Sequence, residues 1–223
     1  MRTSTFLICC IAGLLHACAN QTLTQSDPPP LCERADESGA VTRLAMIRKL
    51  QEDGRPYAAL AHLDGSGVKG AAADLLRADI LRRTGQITQA RALYQGLLTT
   101  CMVGAGHHGL GILAGEEGRL TESLDHLQQA RRALPVDARI RNDLGYALML
   151  SGDLEGAKPE LLTAQDLDPE DRKAASNLLM LFELLGDETR VAAIVQRYQI
   201  EPEELHRLRS EVGQIKSSKE NRP

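Results

Sequence analysis

The sequence predicts an all-α solenoid of about five helix pairs closed by a C-terminal capping helix, and three observations predict it. Apolar residues recur at three- and four-residue spacing from about residue 38 almost to the end, the period of amphipathic helices. Glycines that open a short turn return at Gly54, Gly85, Gly118, Gly152 and Gly186, the last four close to 34 residues apart. Aromatic residues make up only 3%, with no Trp, two Phe and four Tyr among 223 residues. Leu, Ala, Ile and Val must therefore build the core, which suits packed helices better than strands rich in aromatic side chains. The 43% apolar and 25% charged content is that of a folded protein. A net charge of −4 argues against a general nucleic-acid binder, which needs a basic face to neutralise phosphates.

The first element is an export signal. Residues 1–17 carry one positive charge, Arg2, ahead of an apolar run from Phe6 to Leu15. A membrane-spanning helix needs about 20 such residues, so the run reads as the core of a signal peptide. Leu15-His16-Ala17-Cys18 resembles the bacterial lipobox, although His16 is unusual at its place. That resemblance implies a diacylglycerol thioether on Cys18, cleavage before it and acylation of the new amino group. Several acyl chains on one residue anchor far better than one. Cys9 and Cys10 read as plain signal residues. Ala19, rather than Asp, implies by analogy with lipoprotein sorting an outer-membrane protein facing the periplasm. Removal of the signal leaves Cys18, Cys32 and Cys101; with Cys18 lipidated, Cys32 and Cys101 are a candidate disulfide in an oxidising compartment, or two unpaired thiols.

Residues 18–37 form a polar tether whose Pro28, Pro29 and Pro30 favour an extended chain. The solenoid is expected over 38–216. Residues 40–66 are a weak helix pair, 71–103 a better one, 104–137 and 138–171 the strongest, and 172–202 another. In the strong pairs small residues at Gly111, Ser123, Gly145 and Ala157 let two helices approach, and Leu127 and Leu161 fill the space between. These units resemble the tetratricopeptide repeat, so the resemblance implies a tetratricopeptide superhelix. Glu203 to Ile215 reads as a polar cap over its end, and 217–223 as a frayed tail.

No catalytic constellation or metal motif is visible, and no cofactor is expected. His107 and His108 are adjacent, so a helix points them about 100° apart, and a site with His126 lacks the i, i+4 spacing of helical bis-His ligands. The glycine-rich Gly104 to Gly111 lacks a Lys-Ser/Thr ending and fits close helix packing. The remaining functional surface is the concave groove of the solenoid. With the second, fifth, ninth and twelfth residues of each repeat facing it, the groove carries Arg82, His108, Ile112, Arg139, Asn142, Tyr146, Met149, Lys173, Ser176 and Met180. Apolar anchors rimmed by basic and amide groups suit a protein partner rather than a small-molecule substrate or nucleic acid.

Residues 108–187, and above all Asp137 to Asp153 with Leu124, Leu127 and Ala130 upstream, resemble the TadD family, tetratricopeptide lipoproteins of the Flp, or tight-adherence, pilus machinery. The resemblance implies a non-enzymatic assembly factor that helps the pilus secretin, or another Tad component, reach or persist in the outer membrane. The alternative is a regulatory lipoprotein that activates a cell-wall synthase or other envelope complex.

Overall fold

The computed structural model describes residues 38–220. The signal peptide, Cys18, the Pro-rich tether and Cys32 lie outside the described residues. Among those residues the chain forms eleven helices and no strand: α1 (Ser38–Glu52), α2 (Pro56–Gly65), α3 (Ala71–Arg83), α4 (Ile87–Leu97), α5 (Val103–Glu116), α6 (Leu120–Ala133), α7 (Ala138–Ser151), α8 (Leu154–Leu167), α9 (Arg172–Leu185), α10 (Glu188–Tyr198) and α11 (Pro202–Glu220). Helices α1 to α10 pair in order into five hairpins. From α3 to α9 each odd helix then packs on the even helix before it, which builds the expected array. The last helix runs past the Glu203–Ile215 segment marked in the sequence.

Local chemistry explains the hairpins. Gly54, Gly85, Gly118, Gly152 and Gly186, which join the two helices of each pair, all have φ between +71° and +96°. An L side chain is disfavoured in that left-handed region, so the periodic glycines are stops set by backbone geometry. The later repeats also start with a side-chain cap. Asp137, Asp153, Asp171 and Asp187 each accept hydrogen bonds from backbone N–H groups in the first turn of α7, α8, α9 and α10. Such caps satisfy donors that have no partner within the helix, a contribution of about 1 kcal/mol each. Arg55, Gln86 and Arg119 occupy the same place before α2, α4 and α6 and make no such bond.

Packing within a hairpin turns on missing side chains. A Cβ at Gly111 would lie 2.7 Å from Cγ of Leu127, and one at Gly145 would lie 2.6 Å from Cγ of Leu161. Real Cβ atoms do not come that close, so α5 rests on α6, and α7 on α8, with a leucine filling the notch above each glycine. Buried Ser123 adds a bond from its Oγ to the carbonyl of Gly111, 2.8 Å, across the same contact. The core is a chain of clusters strung along the solenoid, from Ile47, Leu63 and Leu76 at one end to Leu178, Ile194 and Val212 at the other.

Helix α11 closes the array but leans to its inner side. Its principal neighbour is α9, the first helix of the last pair, rather than α10. Leu208, Val212 and Ile215 are buried there, and Glu211 reaches as far as Tyr146 of α7. No helix of the described residues is long and apolar enough to cross a membrane.

Candidate functional site: the concave groove

The odd helices line the inner face of the curve. A cavity of about 830 Å³ opens there, with walls from α5, α7, α9 and α11, with Leu120, Ser123 and Leu127 of α6 reaching it between the odd helices, and with Arg82 of α3 also lining it. Ile112, Leu120, Ala147, Leu150, Met180 and Leu208 supply apolar surface, while Arg82, Glu116, Lys173, Arg207 and Glu211 stand among them.

Successive repeats are joined across this face by polar contacts about one repeat apart in sequence. Arg82 of α3 donates to Glu116 of α5 at 2.6 Å. His108 Nε2 of α5 lies 2.8 Å from Asp143 Oδ2 of α7, and Lys173 Nζ of α9 donates to Asp143 Oδ1 at 2.7 Å. Beneath them buried Asn177 donates to Asn142 at 2.8 Å. Within the α3–α4 pair Tyr94 donates to Asp79 at 2.6 Å. The contacts between repeats, Arg82–Glu116, His108–Asp143–Lys173 and Asn142–Asn177, tie each odd helix to the next one along the groove.

The electrostatics follow from burial. Asp143 is largely enclosed, and burial alone would raise its pKa; the hydrogen bond from His108 and the charge of Lys173 override that and hold it at about 2. Burial pushes the Tyr146 phenol up to about 12, reinforced by the Glu211 carboxylate that accepts its hydrogen bond. Burial and then the neighbouring Asp79 carboxylate raise Tyr94 as well. Asp143 is thus a fixed anion, and Tyr146 a fixed hydrogen-bond donor, across the whole physiological range.

Of the ten residues placed on the groove by sequence, six line the cavity: Arg82, Ile112, Tyr146, Lys173, Ser176 and Met180. His108 lies beside it, held by Asp143. Arg139 sits at the start of α7, and its guanidinium pairs with the capping Asp137 at 2.8 Å. Two assignments are corrected. Asn142 is 1% exposed and its carbonyl is taken by Asn177, while Met149 is fully buried in the core. The groove face of α7 is instead Asp143, Tyr146, Ala147 and Leu150. The expected frame was one residue out of phase at Asn142 and Met149. One residue turns a helix by about 100°, enough to exchange groove for core.

The sequence reading also missed Asp143, Leu150 and the wall supplied by α11. The signal for Asp143 was present. It stands 35 residues after His108 and 30 before Lys173, close to one repeat in each direction, where an acid between two basic groups joins three repeats.

The histidines separate. His107 and His126 face one another across α5 and α6 with Nδ1 atoms 2.9 Å apart, and burial, then the neighbouring His126, lowers His107. His108 turns the other way, into the groove. Among the described residues no group of three or more His, Cys, Asp and Glu side chains could hold a metal ion. Cys101, in the turn between α4 and α5, is disulfide-bonded, and the other four cysteines lie outside the described residues.

Comparison with known proteins agrees with this architecture. A family model described as tetratricopeptide repeat matches residues 108–172. The TPR repeat-containing protein PA4299 of Pseudomonas aeruginosa is 37% identical over 194 residues, covering 87% of this chain and 78% of the relative. Among solved structures, a thermophilic TPR protein of Thermus thermophilus, TTC0263, superposes with a TM-score of 0.58 at 20% identity, over 79% of this chain and 98% of the other. A mutant O-GlcNAc transferase of Thermobaculum terrenum is 26% identical over 51% of this chain, which spans only 22% of that structure, with a TM-score of 0.48.

Proposed function

Since this chain belongs to the tetratricopeptide-repeat family, we propose that it is a non-enzymatic, lipid-anchored scaffold of the bacterial outer membrane that faces the periplasm and assists assembly of a Flp/Tad pilus. In this reading Cys18 supplies the membrane address and the groove holds a segment of a protein partner, the pilus secretin or another Tad component. The lipobox-like Leu15-Ala17-Cys18 and the TadD resemblance of residues 108–187 support the address and the system.

The observation that carries partner binding is the cavity itself, apolar in its floor and edged by charges of both signs. Tetratricopeptide folds typically serve as protein-interaction scaffolds rather than catalysts. A concave apolar trough suits a helix or extended segment, with the paired charges setting its register.

The test is photocrosslinking in the envelope from Ile112 or Ser176, both of which face the cavity. Capture of a secretin or another pilus-assembly protein, lost in Ile112→Glu, is the expected result. Tyr146→Ala, which removes a residue that lines the cavity, should weaken the same complex. Metabolic palmitate should label wild type and not Cys18→Ser. Capture of no envelope protein, or unlabelled wild type, would overturn the reading.

A further inference from the structure

Helix α11 is more than an end cap. Of the helices before it, an odd helix in this array packs chiefly on the even one, as α5 does on α4, α7 on α6 and α9 on α8. Helix α11 breaks that rule. It packs chiefly on α9 rather than on α10, and its Glu204, Arg207, Leu208 and Glu211 lie on the face where the groove runs.

Its contacts are those of a bound helix. Leu205, Leu208, Val212 and Ile215, spaced i, i+3, i+7 and i+10, form one stripe, and the last three are buried in a common cluster with Leu178 and Tyr198. Polar contacts flank the stripe. Tyr146 of α7 donates to Glu211 at 2.8 Å, Arg209 donates to Glu183 of α9 at 2.7 Å, and Arg172 of α9 donates to Glu204 at 3.2 Å. Leu208 and Glu211 then form one wall of the open cavity, so the open part of the groove continues the surface that α11 already covers. The connection permits departure. Only Gln199, Ile200 and Glu201 separate α10 from α11, and Gln199 holds a left-handed conformation with φ 48°, so a change at one residue swings the helix.

We propose that α11 is a built-in occupant of the groove, holding the place of an amphipathic partner helix that displaces it. The partner is a helix of another protein with α11's own chemistry: aliphatic side chains at i, i+3, i+7 and i+10, with a carboxylate one residue before the third of them to receive the Tyr146 hydroxyl. This rests on the partner-binding reading above and specifies its ligand. The flanking ion pairs are exposed and give little hold, so the aliphatic stripe decides which helix stays.

The probe is a fluorescein-labelled synthetic peptide of residues 202–217, titrated by anisotropy onto the purified full chain. Leu208→Asp combined with Val212→Asp, which undocks the chain's own α11, should bind this peptide at least tenfold more tightly than wild type. In the wild-type chain, hydrogen exchange should show α11 amides opening at least tenfold faster than those of α9. Equal peptide affinities in the two proteins, with circular dichroism intact in the variant, would overturn the proposal. So would exchange of α11 and α9 at a common rate, or a dimer formed by trading α11 between copies. The measurements use purified protein without lipid or envelope partner, so their failure is distinct from failure of the cellular crosslinking.

Discussion

Asp143→Asn tests whether the charge contacts across the groove hold the repeats together. The substitution keeps the size of the side chain and removes its charge, leaving His108 and Lys173 without their carboxylate. The native carboxyl lies at about 2 against an ordinary value of 3.8, which corresponds to about 2 kcal/mol as an upper bound. Lys173 is 67% exposed, so solvent screens its share, and a loss of about 1 kcal/mol is the working figure. For a domain of this size that is roughly a 2–4 °C fall in Tm. The sign is fixed by linkage. A carboxyl whose folded pKa is depressed contributes in full above its unfolded pKa, and that contribution is lost as pH falls through the folded value. The wild-type minus variant difference in urea-unfolding free energy should therefore shrink between about pH 4 and about pH 2 and vanish below. Two stability curves that run parallel through that window would refute the reasoning, whatever the absolute loss at neutral pH.

Two further outcomes follow from the packing and the disulfide. Gly145→Val places branched carbon against Leu161, where even a Cβ would lie 2.6 Å from Cγ, and should cost at least about 1–3 kcal/mol in chemical unfolding; Gly213→Val, with open space around the position, should cost less than half as much. Cys101 is disulfide-bonded, and Cys32→Ser should free one thiol for alkylation at Cys101 and lower stability by about 2–4 kcal/mol, read by mass spectrometry and thermal melting; unchanged bonding of Cys101 in that variant would assign its partner elsewhere.

The hairpins were legible because they rest on backbone rules that need no neighbours. A glycine at φ near +75° announces itself by recurrence, and so does a small residue facing a leucine, as in Gly145 and Leu161. The groove was legible in part, since its floor depends on helix phase to within one residue. Tyr146 and Ile112 survive such an error, whereas Asn142 and Met149 do not. Both are polar or adaptable residues that a sequence pattern accepts on either face. The buried Asn142–Asn177 pair satisfies itself across repeats, which no single repeat reveals.

The placement of α11 was least legible, and the reason is physical. Its stripe of Leu205, Leu208, Val212 and Ile215 states that one face must be covered but not by which helix. The choice lies with contacts remote in sequence, such as Glu211 with Tyr146, 65 residues away. Those contacts draw the helix inward over α9, where it narrows the groove instead of extending the array. A cap placed purely for solubility would have no need to reach α7. Because it does, the same residues that end the solenoid also set how much of its inner face is open, and stability at that end is coupled to access at the site.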